Sequence, residues 1–183
     1  MTDYGANSLS VLRTSTGTVL PPLPAGSGPS SVAVSPAGNA VYVTDTASDE
    51  VTTLDPQTGE VIDVTKLPPG AEPDGIVASA ACQCLYVSEH GANNVAVLAA
   101  ATMRTVANIA VGNEPRGLVL DPAGSRVYVA DMGSNAVSVI DTASKTVVAT
   151  VPVGNFPTGI AMDPPAALDT PGPWPAPATG PTA

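Results

Sequence analysis

Aromatic residues are scarce: the 183-residue chain holds one Phe, one Trp and four Tyr. A core of ordinary size must then come from Val, Ala, Leu and Ile, a composition suited to strands. Positive charge is scarce too. Six Lys and Arg face sixteen Asp and Glu, for a net charge of −10, which repels phosphate backbones and anionic membrane surfaces and argues against nucleic acid as a partner. No apolar run approaches the roughly 20 residues that cross a bilayer. Met1 is followed by polar TDYGANS rather than by a basic and then apolar leader. There is one histidine, His90, and no Ser-His-Asp order, GxSxG elbow or phosphate-cradling glycine loop. No catalytic residue and no cofactor are therefore assigned. The only cysteines, Cys82 and Cys84, stand two apart. A bond between them would close a very small ring, so free thiols are expected. A zinc site would need two more ligands, and only His90 is near.

What the chain does have is a period. Tyr42, Tyr86 and Tyr128 sit in VYVTD, LYVSE and VYVAD, and Pro29, Pro73, Pro115 and Pro157 are 44, 42 and 42 residues apart. Two anchors with one spacing, made of short strand-like runs, point to propeller blades rather than to a helical solenoid. Each unit offers four strands. From Ser31 to Lys66 they are SVAVS, AVYVTD, EVTTLD and GEVIDVTK, separated by PAGN, TASD and PQTG. Those separators are turn residues with a mechanism: Pro presets φ, Gly accepts positive φ, and Asn, Asp, Ser and Thr bond their own backbone. Many strands are apolar on nearly every residue, as blades covered on both faces require.

The predicted fold is all-β: a β-propeller of four-stranded antiparallel blades, with about four repeats of 42–44 residues. Residues 1–163 hold the repeats, in units of about 2–28, 29–71, 72–113 and 114–155, and 156–163 supply a final inner strand, TGIAMD. Residues 164–183, with seven prolines and the lone Trp174, read as a Pro-rich disordered tail. At the other end, Thr2 and Asp3 match Thr44 and Asp45, but no VYV precedes them. The array is expected to be partial or open, or completed by another chain through its blade edges.

VYVTD at Val41, VYVAD at Val127 and NAVSVIDTASKTVVATVPVGNFPTGIAMDP at Asn135 resemble the YVTN family of β-propeller repeats. The resemblance covers Thr2 to Pro164 and weakens in the third unit, where ASAACQC replaces the Pro-x-Gly turn. It implies a ring of about seven blades with the Pro-x-Gly strand innermost along the channel. It also implies an extracytoplasmic setting, and kinship with surface-layer proteins, other binding proteins and, more distantly, lactonase-type hydrolases.

Two sets of residues recur where chemistry could sit. Asp3, Asp45, Glu89 and Asp131 end the second strand of each unit. They read as turn caps, with a ring of oxygen ligands for a hard cation as the weaker alternative. Ser30, Asp74, Arg116 and Thr158 follow the repeat prolines, and Glu72 and Glu114 precede two of them. With His90 these are the ligand-binding candidates, since variable polar groups around an axial opening are how such scaffolds make sites. The leading expectation is a non-enzymatic module that binds a protein, peptide or surface polymer, with partner capture weakened by substituting Arg116 or Asp74. The alternative is a lactonase-like hydrolase using Asp74, Glu89 or His90 near a metal or water.

Overall fold

Residues 1–162 are described by a computed structural model; Asp163 and the Pro-rich tail with Trp174 lie outside the described residues. Three complete four-stranded antiparallel sheets follow one another along the chain. In chain order, the partial first unit holds β1 (Thr2–Asp3), β2 (Ser8–Leu9), β3 (Leu12–Arg13), β4 (Thr18–Val19) and β5 (Leu23–Pro24). The first full blade is β6 (Pro29–Val34), β7 (Val41–Asp45), β8 (Glu50–Leu54) and β9 (Val61–Lys66). The second is β10 (Pro73–Ser79), β11 (Cys84–Glu89), β12 (Asn94–Ala99) and β13 (Thr105–Ala110). The third is β14 (Pro115–Leu120), β15 (Arg126–Asp131), β16 (Ala136–Asp141) and β17 (Thr146–Pro152). No helix among the described residues is long and apolar enough to cross a membrane.

The blades stack face to face, and the pleat of each central strand serves two cores at once. On β11, Leu85 and Val87 join Tyr42, Val51, Ile76 and Leu98 on one side. Cys84 and Tyr86 point the other way and join Val95, Leu118, Val127, Val129 and Ile140. A third, smaller cluster joins Leu9 of the partial unit to Val43 and Leu54. Outer strands have little to cover them, and Ile62, Val64 and Val148 remain exposed.

In the partial unit, the second strand survives as its last two residues. Thr2 pairs with Leu9 and Asp3 with Ser8, the register in which Thr44 pairs with Val51 and Asp45 with Glu50. Two expectations from sequence are corrected. The described part of TGIAMD, Thr158 to Met162, is not a strand; its natural partner is the second strand of its own blade, and none lies beside it among the described residues. The cysteines are not free: Cys82 and Cys84 are bonded to each other. Gln83 turns the chain in the left-handed region, at φ 52. That leaves the two Cα atoms 5.2 Å apart, within the span a disulfide bridges.

Candidate functional site

Every unit repeats one turn just ahead of its inner strand. The residue before the repeat proline is left-handed in all four: Gly28 (φ 64), Glu72 (φ 48), Glu114 (φ 53) and Phe156 (φ 53). That conformation costs a residue with a side chain roughly 1–2 kcal/mol, and a following proline disfavours helical backbone further. It is held by side chains from the preceding blade. Asn7 Oδ1 accepts from Gly28 N at 2.9 Å, Asp49 Oδ1 from Glu72 N at 2.7 Å, Asn93 Oδ1 from Glu114 N at 2.8 Å and Asn135 Oδ1 from Phe156 N at 2.9 Å. These four holders are themselves left-handed, with φ between 52 and 55, a conformation Asn and Asp tolerate better than most. The carbonyl of the turn residue is used as well: Thr46 N, His90 N and Met132 N donate to Gly28 O, Glu72 O and Glu114 O at 3.0–3.1 Å.

One residue past the proline, the variable side chains meet. Ser30 Oγ donates to Asp74 Oδ1 at 2.6 Å, and Arg116 Nη1 donates to Asp74 Oδ2 at 2.9 Å, so three successive blades are joined at the start of their inner strands. The Arg116 side chain is 31% exposed and that of Asp74 18%. Arg116 Nε is buried and has no partner. Thr158 is exposed and enters only through its backbone, accepting from Gly117 N at 3.0 Å. Beside this row, His90 Nδ1 lies 2.9 Å from Glu72 Oε2.

The strand-ending carboxylates point elsewhere. Asp45 and Asp131 are fully buried and Glu89 almost so. Each aspartate receives a hydroxyl seven residues on: Ser10 to Asp3, Thr52 to Asp45 and Ser138 to Asp131, all at 2.6 Å. In the third unit Ala96 stands where the hydroxyl would be, and the longer Glu89 faces Asn94 across the ladder. Burial pushes Asp45, Glu89 and Asp131 above the usual carboxylate range, against the pull of those hydrogen bonds. Among the described residues no group of three or more His, Cys, Asp or Glu could hold a metal ion.

The structure thus brings Ser30, Asp74 and Arg116 into contact, pairs Glu72 with His90, and sets Glu114 at the equivalent turn of the next blade. Sequence reasoning missed Phe156, a residue 69% exposed. Its signal was available, since it precedes Pro157 as Glu72 and Glu114 precede Pro73 and Pro115. One hollow of about 630 Å³ opens apart from this row, between the partial unit and the first full blade, where Leu12, Leu20, Val32 and Pro56 line it.

The family model described as "Lactonase, 7-bladed beta-propeller" matches residues 3–159. No curated protein matches the chain in sequence. Among solved structures, the hydrazine synthase of Kuenenia stuttgartiensis aligns at 28% identity with a TM-score of 0.74, covering 81% of this chain and 44% of that one. Virginiamycin B lyase from Staphylococcus aureus aligns at 17% identity and TM-score 0.74, covering 88% and 55%. A functionally unknown protein from Desulfotomaculum acetoxidans aligns at 16% and 0.73, covering 86% and 53%. The chain therefore spans about half the length of the solved structures it matches.

Proposed function

The chain belongs to the seven-bladed β-propeller lactonase family, and from that premise we propose that its described part is a binding surface for a basic segment of a protein or peptide partner. The observation that carries the reading is the repeated left-handed turn. Three of its four occurrences hold a side chain where Gly28 shows that glycine serves, and strain retained in the same place blade after blade is a mark of function. The side chains displayed are two carboxylates, Glu72 and Glu114, and an exposed aromatic ring, Phe156. Asp74 and Arg116 neutralise each other between them, so the local charge is negative. A net charge of −10 adds a field that draws cations in, and Phe156 offers a ring face to Lys or Arg. The Pro-x-Gly and VYV-Asp phrasing of the units supports reading them as YVTN-type repeats, with the extracytoplasmic setting that such repeats imply.

Calorimetric titration with pentalysine tests the reading. The double variant Glu72→Gln, Glu114→Gln should weaken binding roughly two- to thirtyfold, from about 0.2–1 kcal/mol per exposed charge pair. Pentalysine binding that is indifferent to both substitutions would remove it.

A hydrolytic reading has one specific support besides the family. The Glu72–His90 contact is the arrangement in which a carboxylate orients an imidazole base. Glu89 is too buried to share that role, and Asp74 is held by Ser30 and Arg116. Lactone turnover that survives His90→Gln would set this reading aside.

A further inference from the structure

We propose that the Cys82–Cys84 disulfide is a site of thiol–disulfide exchange with low-molecular-weight thiols. Two residues apart, it closes almost no loop, so it constrains the unfolded chain less than nearly any other cross-link. Stabilisation is a poor account of its presence.

Its surroundings suit exchange. The sulfurs bridge the turn between the first two strands of the second full blade, where Ser79 faces Cys84 across the ladder. In the sibling turns a side chain braces the backbone: Ser35 Oγ accepts from Asn39 N and Ala40 N, both at 3.0 Å. Asp121 Oδ1 accepts from Ser125 N at 2.6 Å and Arg126 N at 3.0 Å. Here Ser79, 1% exposed, has a hydroxyl with no partner, and the disulfide is the brace instead. Ser79, Gln83 and Cys84 are among the residues that line a cavity of about 250 Å³, so the turn keeps room to rearrange.

The two sulfurs are unequal. Cys82 is an exposed residue among Ala80, Ala81 and Gln83, its Sγ 3.9 Å from the buried Tyr86 hydroxyl, whereas Cys84 is 4% exposed. An incoming thiolate RS⁻ meets Cys82, the more exposed of the two, first. Attack breaks the S–S bond, forms R–S–S–Cys82 and expels the Cys84 thiolate, which takes up a proton. A second RS⁻ then attacks the R sulfur, releasing RSSR and the Cys82 thiolate, which is protonated in turn. Two thiols are oxidised to one disulfide, and the protein disulfide is reduced to two thiols. The reverse steps, with a low-molecular-weight disulfide as oxidant, restore it.

The folded protein is equilibrated with glutathione at graded ratios of reduced to oxidised form, alkylated, and its adducts are mapped by mass spectrometry. Two thiols should appear without unfolding, and any glutathione adduct should fall on Cys82. Oxidised glutathione should label the Cys84→Ser variant at Cys82 at least about tenfold faster than it labels the Cys82→Ser variant at Cys84, as access dictates. A disulfide that resists until the chain is denatured, an adduct on Cys84, equal rates in the two variants, or a dithiol that oxidised glutathione leaves open would each overturn the proposal. Should either variant fail to fold by circular dichroism, the wild-type adduct map decides alone.

Discussion

Ser88 Oγ ties two blades together: it accepts from Gly75 N in its own blade at 2.7 Å and donates to the backbone carbonyl of Arg116 in the next at 2.6 Å. Thr44 repeats this with Ser31 N at 3.0 Å and the carbonyl of Asp74 at 2.5 Å, and Thr2 donates to the carbonyl of Ser30 at 2.8 Å. At Ala130 the hydroxyl is missing, and Gly117 N bonds Thr158 O directly.

Ser88→Ala is expected to cost about 1–3 kcal/mol, because it strands a buried donor and a buried acceptor together. Ser88→Thr should cost far less, since Thr44 does the same work. Urea unfolding of the three proteins measures this. Equal midpoints for wild type and Ser88→Ala would show that the bridge is idle.

Asn93 carries two effects that separate by substitution. Asn93→Ala loses both the cap on Glu114 N and a residue suited to φ 55. Asn93→Gly keeps the conformation and loses only the cap. Alanine should therefore destabilise by about 1–3 kcal/mol and glycine by about 0.5–1.5 kcal/mol, read from thermal or urea midpoints. If glycine is the worse of the two, the conformational part of the account is wrong.

Asp131 is held above the usual carboxylate range chiefly by burial, with Ser138 and Gly112 pulling it back. Its folded state binds a proton more tightly than its unfolded state, whose value is about 3.9. Its favourable contribution is thus complete below that value and lost as pH rises through the raised folded value. Asp131→Asn keeps an acceptor for Ser138 and removes the charge. The variant should gain on wild type as the pH rises above about 4 and gain nothing further above the raised value. Paired urea curves across that range check the sign, and a difference flat with pH would refute it.

How much of this was legible in the sequence depends on the length scale of the cause. The blades were plain in the tyrosine and proline spacings, because strand period and turn chemistry are local. The carboxylates Asp3, Asp45 and Asp131 read as turn groups, yet their hydroxyl partners came into view only once β1 lay on β2, β7 on β8 and β15 on β16. The failures share one origin. The residues of TGIAMD alone suggest a strand, whereas a strand needs a neighbour. The spacing of Cys82 and Cys84 alone suggests free thiols, and the left-handed turn at Gln83 sets a distance that a disulfide spans. Phe156 carries only the positional cue, its place before a repeat proline, because a phenylalanine does not by itself announce a positive φ.

The Asp74–Arg116 pair gives its two substitutions opposite effects on binding and the same effect on stability. Each removes one partly exposed ion pair, worth about 0.2–1 kcal/mol. Asp74→Ala also strands the Ser30 hydroxyl, so it should be the costlier. Binding divides them. Arg116→Ala uncovers the Asp74 carboxylate beside Glu72 and Glu114 and should tighten pentalysine up to about fivefold, whereas Asp74→Ala leaves an unpaired guanidinium and should weaken it by a similar factor. Raising the salt from about 0.05 to 0.5 M shortens the screening length well below 10 Å and should erase both shifts. If the two substitutions weaken binding alike, the pair contacts the partner directly, and the acidic turn is not what recognises it.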